Sequence, residues 1–338
     1  MFKFTGKVVL VTGGTGSFGN YIVYRLLNET DVKEIRILSR DEKKQYDMRI
    51  HYDNNPKLKF FIGDIRDYNR VYDVMENVDV VYQAAALKHV PVCEAAPFEA
   101  VKTNIVGVEN VIRAALKHKV EKVICVSTDK AVKPVNVMGM TKAIQERLII
   151  SANKSPDNKG TVFAVVRYGN VLLSRGSVIP FFRRLLMQGE ELTYTDLKMT
   201  RFLLTLNDAI DLVLFATEHA KGGETFVKKA PSTYITKIGE ALCKEAGTNH
   251  NYRVIGCYPG EKFDEILLTE EELPRCEDNA DYITIHPWWD KRTFNDFTKE
   301  YSSGQNLIMD VDKIMELIAD ADEKAAKIHV EKGEFSRI

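Results

Sequence analysis

Cysteine is scarce in this sequence of 338 residues, and histidine is scattered. The five cysteines are irregularly spaced and include no C-x-x-C pair, which is atypical of a disulfide framework or a zinc site. The seven histidines show no H-x-x-x-H spacing. We therefore expect free thiols in a reducing compartment and no metal centre.

The sequence also lacks an excess of charge and long apolar runs. Its 47 basic residues nearly balance 48 acidic ones, so no basic field indicates nucleic-acid binding. No apolar stretch is long enough to cross a bilayer. The first residues, MFKFTGKVVLVTGG, lead into a glycine-rich turn rather than a signal-peptide cleavage site. We expect a soluble, cytoplasmic protein that binds neither nucleic acid nor membrane.

The first half of the sequence alternates apolar, β-rich runs with stretches long enough for helices. The runs are residues 7–13, 34–39, 58–64, 78–86, 122–128 and 161–171. They are continuously apolar, which is typical of parallel strands buried on both faces. This alternation predicts an α/β fold with a doubly wound parallel sheet of the Rossmann type.

The pattern becomes less regular beyond residue 172, and no linker or repeat separates two units. We expect residues 1–170 to form a dinucleotide-binding Rossmann domain, to which residues 207–232 return. Residues 171–206 and 233–338 are expected to form a smaller, interwoven substrate-binding lobe.

A glycine-rich turn follows the first predicted strand and opens the first predicted helix. Gly13, Gly16 and Gly19 in VTGGTGSFG have the spacing G-x-x-G-x-x-G. Such glycines let a pyrophosphate approach a helix N-terminus and let the helix pack closely on the sheet. At the first strand–helix junction this pattern favours a dinucleotide site, although a tight turn alone would also explain it.

The end of the second strand discriminates between cofactors. Ser39, Arg40 and Lys43 in ILSRDEKK suit a 2′-phosphate, whereas an NAD site usually carries an acidic residue there. NADP is therefore favoured, and Asp41 leaves NAD open. Asp64, at the end of the third strand, is a candidate for the adenine edge or for the N-cap of the next helix.

The segment STDKAVKPVNVMGMTK follows the fifth predicted strand, at the sheet edge where open α/β sheets bind ligands. Adjacent Asp129 and Lys130 can supply an acid and a base, although a solvated pair would look the same in isolation. Met138 and Lys142 are one helical turn apart and share a helix face. Met138 by itself is typical of a core residue.

These residues resemble the extended short-chain dehydrogenase/reductase superfamily. More narrowly, they are similar to the inverting UDP-N-acetylglucosamine 4,6-dehydratases of bacterial surface polysaccharide pathways. Many relatives carry a catalytic Tyr four residues before the Lys, but the capsule-type branch resembles this chain in having Met there. The matching stretches span roughly residues 5–235 and are TGGTGSFG, SRDEKKQ, GDIRD, AAALKHVPVCEAAPFEAVKTNIVG, STDKAVKPVNVMGMTKA, RYGNVLLSRGSVIPFF and MTRFLLTL.

The resemblance implies a redox-neutral reaction. The sugar is oxidised at C4 by NADP+, loses water across C5 and C6, and is reduced at C6 with inversion at C5. Lys130 would be the base at C5, Asp129 the acid at the C6 oxygen, and Lys142 a ligand of the nicotinamide ribose. Because the Met138 thioether has no useful basicity, Lys130 or a water relay through Thr128 would remove the C4 hydroxyl proton.

The resemblance also implies two sets of binding residues. Arg201 and Arg253 would clamp the diphosphate, since guanidinium pairs bidentately with phosphate, with surface ion pairs as the alternative. The residues expected around the cofactor are Gly13, Thr15, Gly16, Ser17, Phe18, Gly19, Ser39, Arg40, Lys43, Asp64, Ile65, Ala84, Ala86, Lys88, Asn104, Lys142, Tyr168 and Val171. Those expected around the sugar nucleotide are Lys88, Lys130, Asn170, Ser177, Val178, Arg201, Arg253 and Glu261.

The resemblance weakens after residue 255, although Gly260, Glu261 and Lys262 match a GEK-x-x-E segment of the family. Two other functions stay open. A UDP-sugar 4-epimerase uses C4 oxidation without elimination and needs no acid–base pair at C5 and C6. A non-catalytic NADP-sensing protein would keep the glycine turn and lose the catalytic set. A homo-oligomer, dimer or hexamer, is also implied.

Overall fold

The computed structural model describes residues 2–174, 176–306 and 309–328 of the chain. Over these residues the strands are β1 (Val8–Thr12), β2 (Glu34–Ser39), β3 (Leu58–Ile62), β4 (Val80–Gln83), β5 (Lys122–Val126), β6 (Val162–Arg167), β7 (Asn170–Val171), β8 (Leu192–Tyr194), β9 (Thr200–Leu204), β10 (Thr225–Lys228), β11 (Ser232–Tyr234), β12 (Tyr252–Val254), β13 (Ile266–Leu268), β14 (Cys276–Asn279), β15 (Tyr282–Ile285) and β16 (Tyr301–Ser302).

The helices in the same part of the chain are α1 (Ser17–Glu29), α2 (Glu42–His51), α3 (Tyr68–Val74), α4 (Val90–Ala95), α5 (Pro97–Ala100), α6 (Gly107–His118), α7 (Val137–Ala152), α8 (Val178–Met187), α9 (Leu206–His219), α10 (Ile235–Ala246) and α11 (Val311–Ile328). A π-helical turn, Val101–Val106, precedes α6, and 3₁₀ turns cover Asp129–Ala131 and Leu273–Arg275.

A sheet of nine described strands runs through the molecule in the order β14-β15-β10-β6-β5-β4-β1-β2-β3. Strands β1 to β6 and β10 pair in parallel, and β15 and β14 extend the sheet in antiparallel fashion. The order β3-β2-β1-β4-β5-β6 is that of a dinucleotide-binding sheet. The predicted doubly wound α/β fold is confirmed.

Strand β1 shows why its sequence is continuously apolar. Val9 and Val11 pack on one face of the sheet, in a core shared with α1 and α9. Val8 and Leu10 pack on the other face, in a core shared with α3, α6 and α7. Because both faces are covered, every residue of the strand is buried.

Two predicted strands were too long. The apolar run 161–171 divides, because β6 ends at Arg167 and β7 joins a separate sheet with the order β11-β9-β7. At the break, a Cβ on Gly169 would lie 2.6 Å from the Phe202 side chain, so glycine permits the close approach that the bend needs. The run 78–86 is a strand only over Val80–Gln83, and the residues after it form a loop.

The helices α8, α10 and α11 share a core that is separate from the two cores of the large sheet. Ile314 and Ile318 of α11 are buried in this core with residues of α8 and α10. All five cysteines are free thiols, and only Cys257 is exposed. Among the described helices, none combines the length and apolarity that a membrane span requires.

Candidate active site

The glycine-rich turn between β1 and α1 brings backbone rather than side chains to the helix N-terminus. Gly13 has φ +65°, and a Cβ there would lie 3.0 Å from the backbone of Ala85. A Cβ on Gly19 would overlap the backbone of Gly14. Gly16 is the N-cap of α1 and supplies no side-chain cap, so the first N–H groups of the helix are left for an anion.

The loop after β4 is held beside this turn by a residue that sequence reasoning missed. The hydroxyl of Thr12, at the end of β1, accepts hydrogen bonds from the backbone N–H groups of Ala84 and Ala85 at 3.1 and 3.2 Å. It donates to Gln83 Oε1 at 2.6 Å. Thr12 therefore sets the width of the groove between the glycine turn and the loop.

Asn104 lies in the π-helical turn and is fully buried. Its amide pairs with both backbone groups of Leu87, accepting at 2.8 Å and donating at 3.0 Å, and donates to Thr141 Oγ1 at 3.0 Å. Asn104 was predicted to contact the cofactor directly. In the structure it ties the loop after β4 to α7, and π-helical turns often occur at functional sites for such positioning.

The end of β2 carries the predicted cofactor-discriminating residues. Ser39 is buried and accepts a hydrogen bond from Gln45, whereas the Arg40 side chain is 58% exposed. Lys43 is exposed and pairs with Asp47 at 2.7 Å. Arg40 is thus the group at this strand end that is placed to meet an anion.

Asp64 binds its neighbours through its carboxylate, which lies 2.7 Å from Arg66 and 3.8 Å from Arg40. Burial alone would raise the pKa of Asp64, but the two guanidinium groups outweigh burial and lower it. The alternative prediction that Asp64 caps the next helix is wrong, because Asp67 is the N-cap of α3.

The other predicted cofactor residues lie on several different elements. Ile65 is buried in the core, where its side chain fills the space left by the missing Cβ of Gly107. The glycine-rich turn contains Thr15, and the first turn of α1 contains Ser17 and Phe18. The loop after β4 contains Ala84, Ala86 and Lys88. Where β6 gives way to β7, the chain carries Tyr168 and Val171.

The predicted acid–base pair lies in a short 3₁₀ turn at the carboxyl end of β5. Thr128 caps this turn; its hydroxyl accepts from the N–H of Lys130 at 3.4 Å and donates to Asp129 Oδ1 at 2.9 Å. The backbone N–H of Asp129 donates to the carbonyl of Tyr168 at 3.1 Å. Asp129 is completely buried, so its carboxyl group is held in a dry environment.

The ammonium group of Lys130 meets three acceptors, which matches its three donors. Nζ lies 3.0 Å from Asp129 Oδ1, 3.2 Å from Asn170 Oδ1 and 3.2 Å from Glu265 Oε1. The Lys130 side chain is 23% exposed, whereas that of Asp129 is fully buried. The structure brings the predicted residues Thr128, Asp129, Lys130 and Asn170 together.

Burial and charge act in opposite directions on this pair. Burial lowers the pKa of Lys130, but the carboxylates of Asp129 and Glu265 outweigh it and raise the pKa. Burial raises the pKa of Asp129, and the neighbouring Lys130 compensates only in part. A buried carboxyl with a raised pKa can keep a proton and act as an acid.

Glu265 is a second site residue that sequence reasoning missed. Its carboxylate is buried beside three cationic groups, Lys130 at 3.2 Å and both Arg201 and Lys262 at 3.8 Å. Burial alone would raise its pKa, but these cations lower it. Glu265 is the final residue of the GEK-x-x-E segment. Because that segment keeps the family pattern, its carboxylate could have been predicted as a site residue from the sequence.

Lys142 and Met138 of α7 do not join this cluster in the structure. Lys142 is buried and donates to the carbonyl of Val126 at 2.6 Å and to Gln145 Oε1 at 2.9 Å. Burial lowers the pKa of the Lys142 amine. Met138 is 3% exposed and packs in an apolar cluster with Cys93 and Ala100. These contacts are those of a core residue, as the sequence pattern of Met138 alone indicated.

Two of the predicted sugar-nucleotide ligands have their polar groups engaged within the protein. Arg201 Nη1 donates to the backbone carbonyls of Thr200, Lys262 and Phe263 at 2.7, 3.1 and 3.1 Å, so most of its guanidinium already has partners. Glu261 accepts from the N–H of Tyr258 at 3.0 Å.

The remaining sugar-nucleotide residues are on separate elements. Ser177 is the N-cap of α8, and Val178 is its first residue. Arg253 lies on β12, an exposed strand paired with β8, and forms no ion pair with any residue that the structure describes. Arg201 and Arg253 are thus carried by different sheets. Lys88 is exposed in the loop after β4.

Comparison with known proteins identifies relatives of this chain. The family described as polysaccharide biosynthesis protein matches residues 9–287. The chain is similar to a protein of Rickettsia canadensis named UDP-glucose 4-epimerase, with 49% identity over 308 residues, covering 90% of this chain and 89% of the relative.

Two solved structures are similar to this one. The structure of Pen from Bacillus thuringiensis has a TM-score of 0.89 at 40% identity and covers 95% of this chain and 99% of its own. DesIV, a dTDP-glucose 4,6-dehydratase from Streptomyces venezuelae with NAD and TYD bound, has a TM-score of 0.69 at 21% identity, covering 76% and 86%. The second likeness shows the fold alone.

Proposed function

The chain belongs to the polysaccharide biosynthesis protein family of extended short-chain dehydrogenases/reductases, and we propose that it is a UDP-N-acetylglucosamine 4,6-dehydratase that inverts C5. The observation that carries this proposal is the Lys130 ammonium, which meets Asp129 and Asn170 at the carboxyl end of β5. A dehydratase needs an acid and a base at neighbouring carbon atoms, and this pair can supply both.

The glycine turn fits a nicotinamide dinucleotide, because a Cβ would fill the space where its backbone meets Ala85 and the N-terminus of α1 has no side-chain cap. The turn and α1 would hold the pyrophosphate, Arg40 a 2′-phosphate and Lys142 the ribose. A dinucleotide bound there supplies the hydride acceptor and donor that the reaction needs. The exposed Arg40 supports NADP, and the acidic Asp41 that follows it keeps NAD as the alternative.

The residues of the chain would then perform the proton transfers. After oxidation at C4, the neutral amine of Lys130 takes the proton from C5. The electrons of the C5–H bond form the C5–C6 double bond while the C6–O bond breaks. Protonated Asp129 gives its proton to the departing oxygen, which leaves as water, and its raised pKa supports this role. Solvent water on the face opposite Lys130 would supply the proton at C5, which inverts that centre, and the hydride at C6 would come from the bound dinucleotide.

Removal of the C4 hydroxyl proton needs a group other than Met138, which is packed among apolar side chains. We propose for this step either Lys130, which would release that proton to solvent before it acts at C5, or a water relay through Thr128. The hydroxyl of Thr128 lies 2.9 Å from Asp129 Oδ1, which supports a relay within the same turn. We also keep the division into a cofactor part, residues 1–170 with 207–232, and a sugar-nucleotide part, residues 171–206 with 233–338, and a homo-oligomer as proposals.

A UDP-sugar 4-epimerase is the second candidate. The name of the Rickettsia canadensis relative favours it, at 49% identity over 90% of this chain. Such an enzyme oxidises and reduces C4 without touching C5 or C6, so it would leave Asp129 and Lys130 without a proton-transfer role at those atoms.

The test is an NMR time course of the purified protein with UDP-N-acetylglucosamine in D2O. The dehydratase is expected to give a 4-keto-6-deoxy sugar with deuterium at C5 and inverted configuration there. A C4 epimer without deuterium at C5 would assign the epimerase instead. Binding of the dinucleotide without turnover of any UDP-sugar would favour a non-catalytic sensor. Extraction of the bound nucleotide from the protein distinguishes NADP from NAD.

A further inference from the structure

A carboxylate from the far end of the chain reaches the Lys130 amine. Glu265 directly precedes β13, more than 130 residues after Lys130, and its Oε1 lies 3.2 Å from Lys130 Nζ. Its side chain is 2% exposed. The acid–base scheme proposed above uses Asp129 and Lys130 and gives Glu265 no role.

The position of Glu265 is fixed by its own backbone rather than by the ion pair. Its N–H donates to Ser303 Oγ at 2.9 Å, and its carbonyl accepts from the N–H of Ser303 at 2.9 Å. Because both backbone groups are held, the carboxylate would stay near Lys130 even if the amine lost its proton.

The segment leading to Glu265 is docked on the loop that carries Lys130. The side chain of Asn136 donates to the carbonyl of Gly260 at 2.8 Å. The amine of Lys262 donates to the carbonyl of Val132. These contacts lie beyond Lys130 on the same loop, so the loop and the segment form one assembled unit.

The charged groups that face Lys130 come from four places. Asp129 belongs to its own turn, Glu265 to the start of β13, Arg201 to β9 and Lys262 to the docked segment. Asn170, on β7, adds a neutral acceptor. Without Glu265, three cationic side chains would face one carboxyl group in a buried site, and the neutral form of the amine would be favoured.

The carboxylate of Glu265 also has one oxygen without a hydrogen bond. Within the described part of the chain, Glu265 Oε2 and Asp129 Oδ2 are both buried and have no hydrogen-bond partner. Unused acceptors in a dry site destabilise a fold, so a pair retained only for stability would be expected to satisfy them. Both oxygens belong to the carboxyl groups whose other oxygens contact the Lys130 amine.

We propose that Glu265 is a positioning residue that holds the Lys130 amine in place and determines the pH range in which it can act as a base. The base role rests on the proposed dehydratase function; the effect on the charge of Lys130 does not. The physical reason is that an anion at 3.2 Å stabilises the ammonium form, so proton loss needs a higher pH when Glu265 is present.

The test uses a readout that does not depend on turnover. Acetic anhydride reacts with a neutral amine and not with an ammonium ion, so the rate of Lys130 acetylation, followed by peptide mass spectrometry, reports its charge. In Glu265→Gln the pH at which Lys130 becomes reactive is expected to fall by about 1 to 3 units. Exposed lysines of the same sample serve as internal references.

Glu271→Gln is the matched control, because it makes the same change on an exposed carboxylate that pairs with Arg275. It is expected to leave Lys130 labelling unchanged. If Glu265→Gln does not fold, Glu265→Asp decides, because its shorter side chain should lower the reactive pH by a smaller amount. A labelling profile of either Glu265 variant that coincides with wild type would overturn the proposal.

The pH dependence of kcat then tests the consequence for catalysis. The acidic limb of the elimination reaction should move to lower pH in Glu265→Gln, with KM changed less than kcat. If the labelling profile shifts but the acidic limb of kcat does not move, Glu265 does not determine the pH range in which Lys130 acts as a base. A shifted labelling profile in a protein that forms no elimination product would refute the proposed function and leave the charge effect of Glu265 standing.

Discussion

Two buried ion clusters in this protein share one plan and differ in chemistry. The guanidinium cluster consists of Arg167 between Glu146 and Glu272, and the ammonium cluster of Lys130 between Asp129 and Glu265. In each, one carboxylate belongs to the Rossmann part of the chain. The other belongs to the 260–272 segment.

The guanidinium cluster is saturated. Arg167 Nε and Nη2 donate to the two oxygens of Glu146 at 3.1 and 2.7 Å, and Nη2 and Nη1 donate to those of Glu272 at 3.0 and 3.1 Å. Burial alone would lower the pKa of Arg167, but the two carboxylates outweigh it and raise the pKa further. A guanidinium group in this setting stays protonated at any pH at which the protein works.

The ammonium cluster leaves two carboxylate oxygens without hydrogen-bond partners among the described residues, and the Lys130 side chain is 23% exposed. An ammonium group is a point charge with three donors and cannot bind two carboxylates bidentately. The comparison shows that the identity of the cation, arginine or lysine, determines whether the cluster can take part in proton transfer. Arginine makes a fixed connection between the two parts of the chain, and lysine in the same setting makes a group that can titrate.

Removal of the Lys130 ammonium should have the largest effect of these changes, and the effect should be on turnover. Lys130→Met is expected to reduce turnover by about 10²- to 10⁴-fold, the range for loss of an acid–base group. The measurement is kcat by NMR. Lys133→Met, three residues along the same loop in an exposed pair with Glu300, should keep turnover near wild type. Turnover of Lys130→Met within tenfold of wild type would contradict the assigned chemistry.

Removal of the guanidinium should affect stability instead. Arg167→Met leaves Glu146 and Glu272 buried and unpaired, so the free energy of unfolding should fall by about 3–5 kcal/mol. Urea denaturation measures it. Lys244→Met, which breaks an exposed pair with Asp312, should change it by about 1 kcal/mol or less. An equal loss in both variants would show that the guanidinium cluster does not hold the fold.

One carboxylate of each cluster, Asp129 and Glu272, should respond to neutralisation with opposite sign. Burial raises the pKa of Asp129 above its ordinary 3.8, so the ionised form destabilises the fold at neutral pH. Asp129→Asn should therefore raise the free energy of unfolding at pH 7, by roughly 1 kcal/mol, while turnover falls. The difference from wild type should vanish below about pH 3.8.

Glu272 behaves in the opposite way. Burial would raise its pKa, but Arg167 and the N–H of Thr269 lower it below the ordinary 4.5. Its contribution to stability is present above that value and is lost as the pH falls through the folded-state pKa. Glu272→Gln should thus destabilise the protein at pH 7 and approach wild type in acid. Urea midpoints between pH 7 and 3 measure both variants; a shift of the same sign would refute the contrast.

Met138→Leu should have the smallest effect. Met138 packs in an apolar cluster outside both ion clusters, and an isosteric swap there should cost less than about 1.5 kcal/mol. Turnover should fall by less than about threefold, measured as kcat by NMR alongside the melting temperature. A hundredfold loss would mean that the thioether acts on the reacting atoms.

The parts that sequence reasoning predicted well are local. Continuous apolar runs predicted the parallel strands, because a strand covered on both faces carries mostly apolar side chains. The glycine spacing predicted the turn before α1, because only glycine fits against the backbone of Ala85. The strand break at Gly169 was missed, since its cause is the Phe202 side chain from another strand.

The candidate site was predicted only in part for the same reason. Asp129 and Lys130 are adjacent in the sequence, so their meeting is local, and the structure adds Asn170 from β7. Asn104 was assigned to the cofactor, but its amide holds Leu87 across a loop that the sequence does not show closing.

The sequence by itself determined the sheet, the glycine turn and the acid–base dipeptide, because each depends on residues that are neighbours in the chain or share a strand or helix. Only the tertiary structure decided which carboxylate meets Lys130 and which meets Arg167. Both partners, Glu265 and Glu272, lie more than a hundred residues away. Their positions depend on how the 260–272 segment docks, through Ser303 and Asn136, and no local propensity encodes that docking.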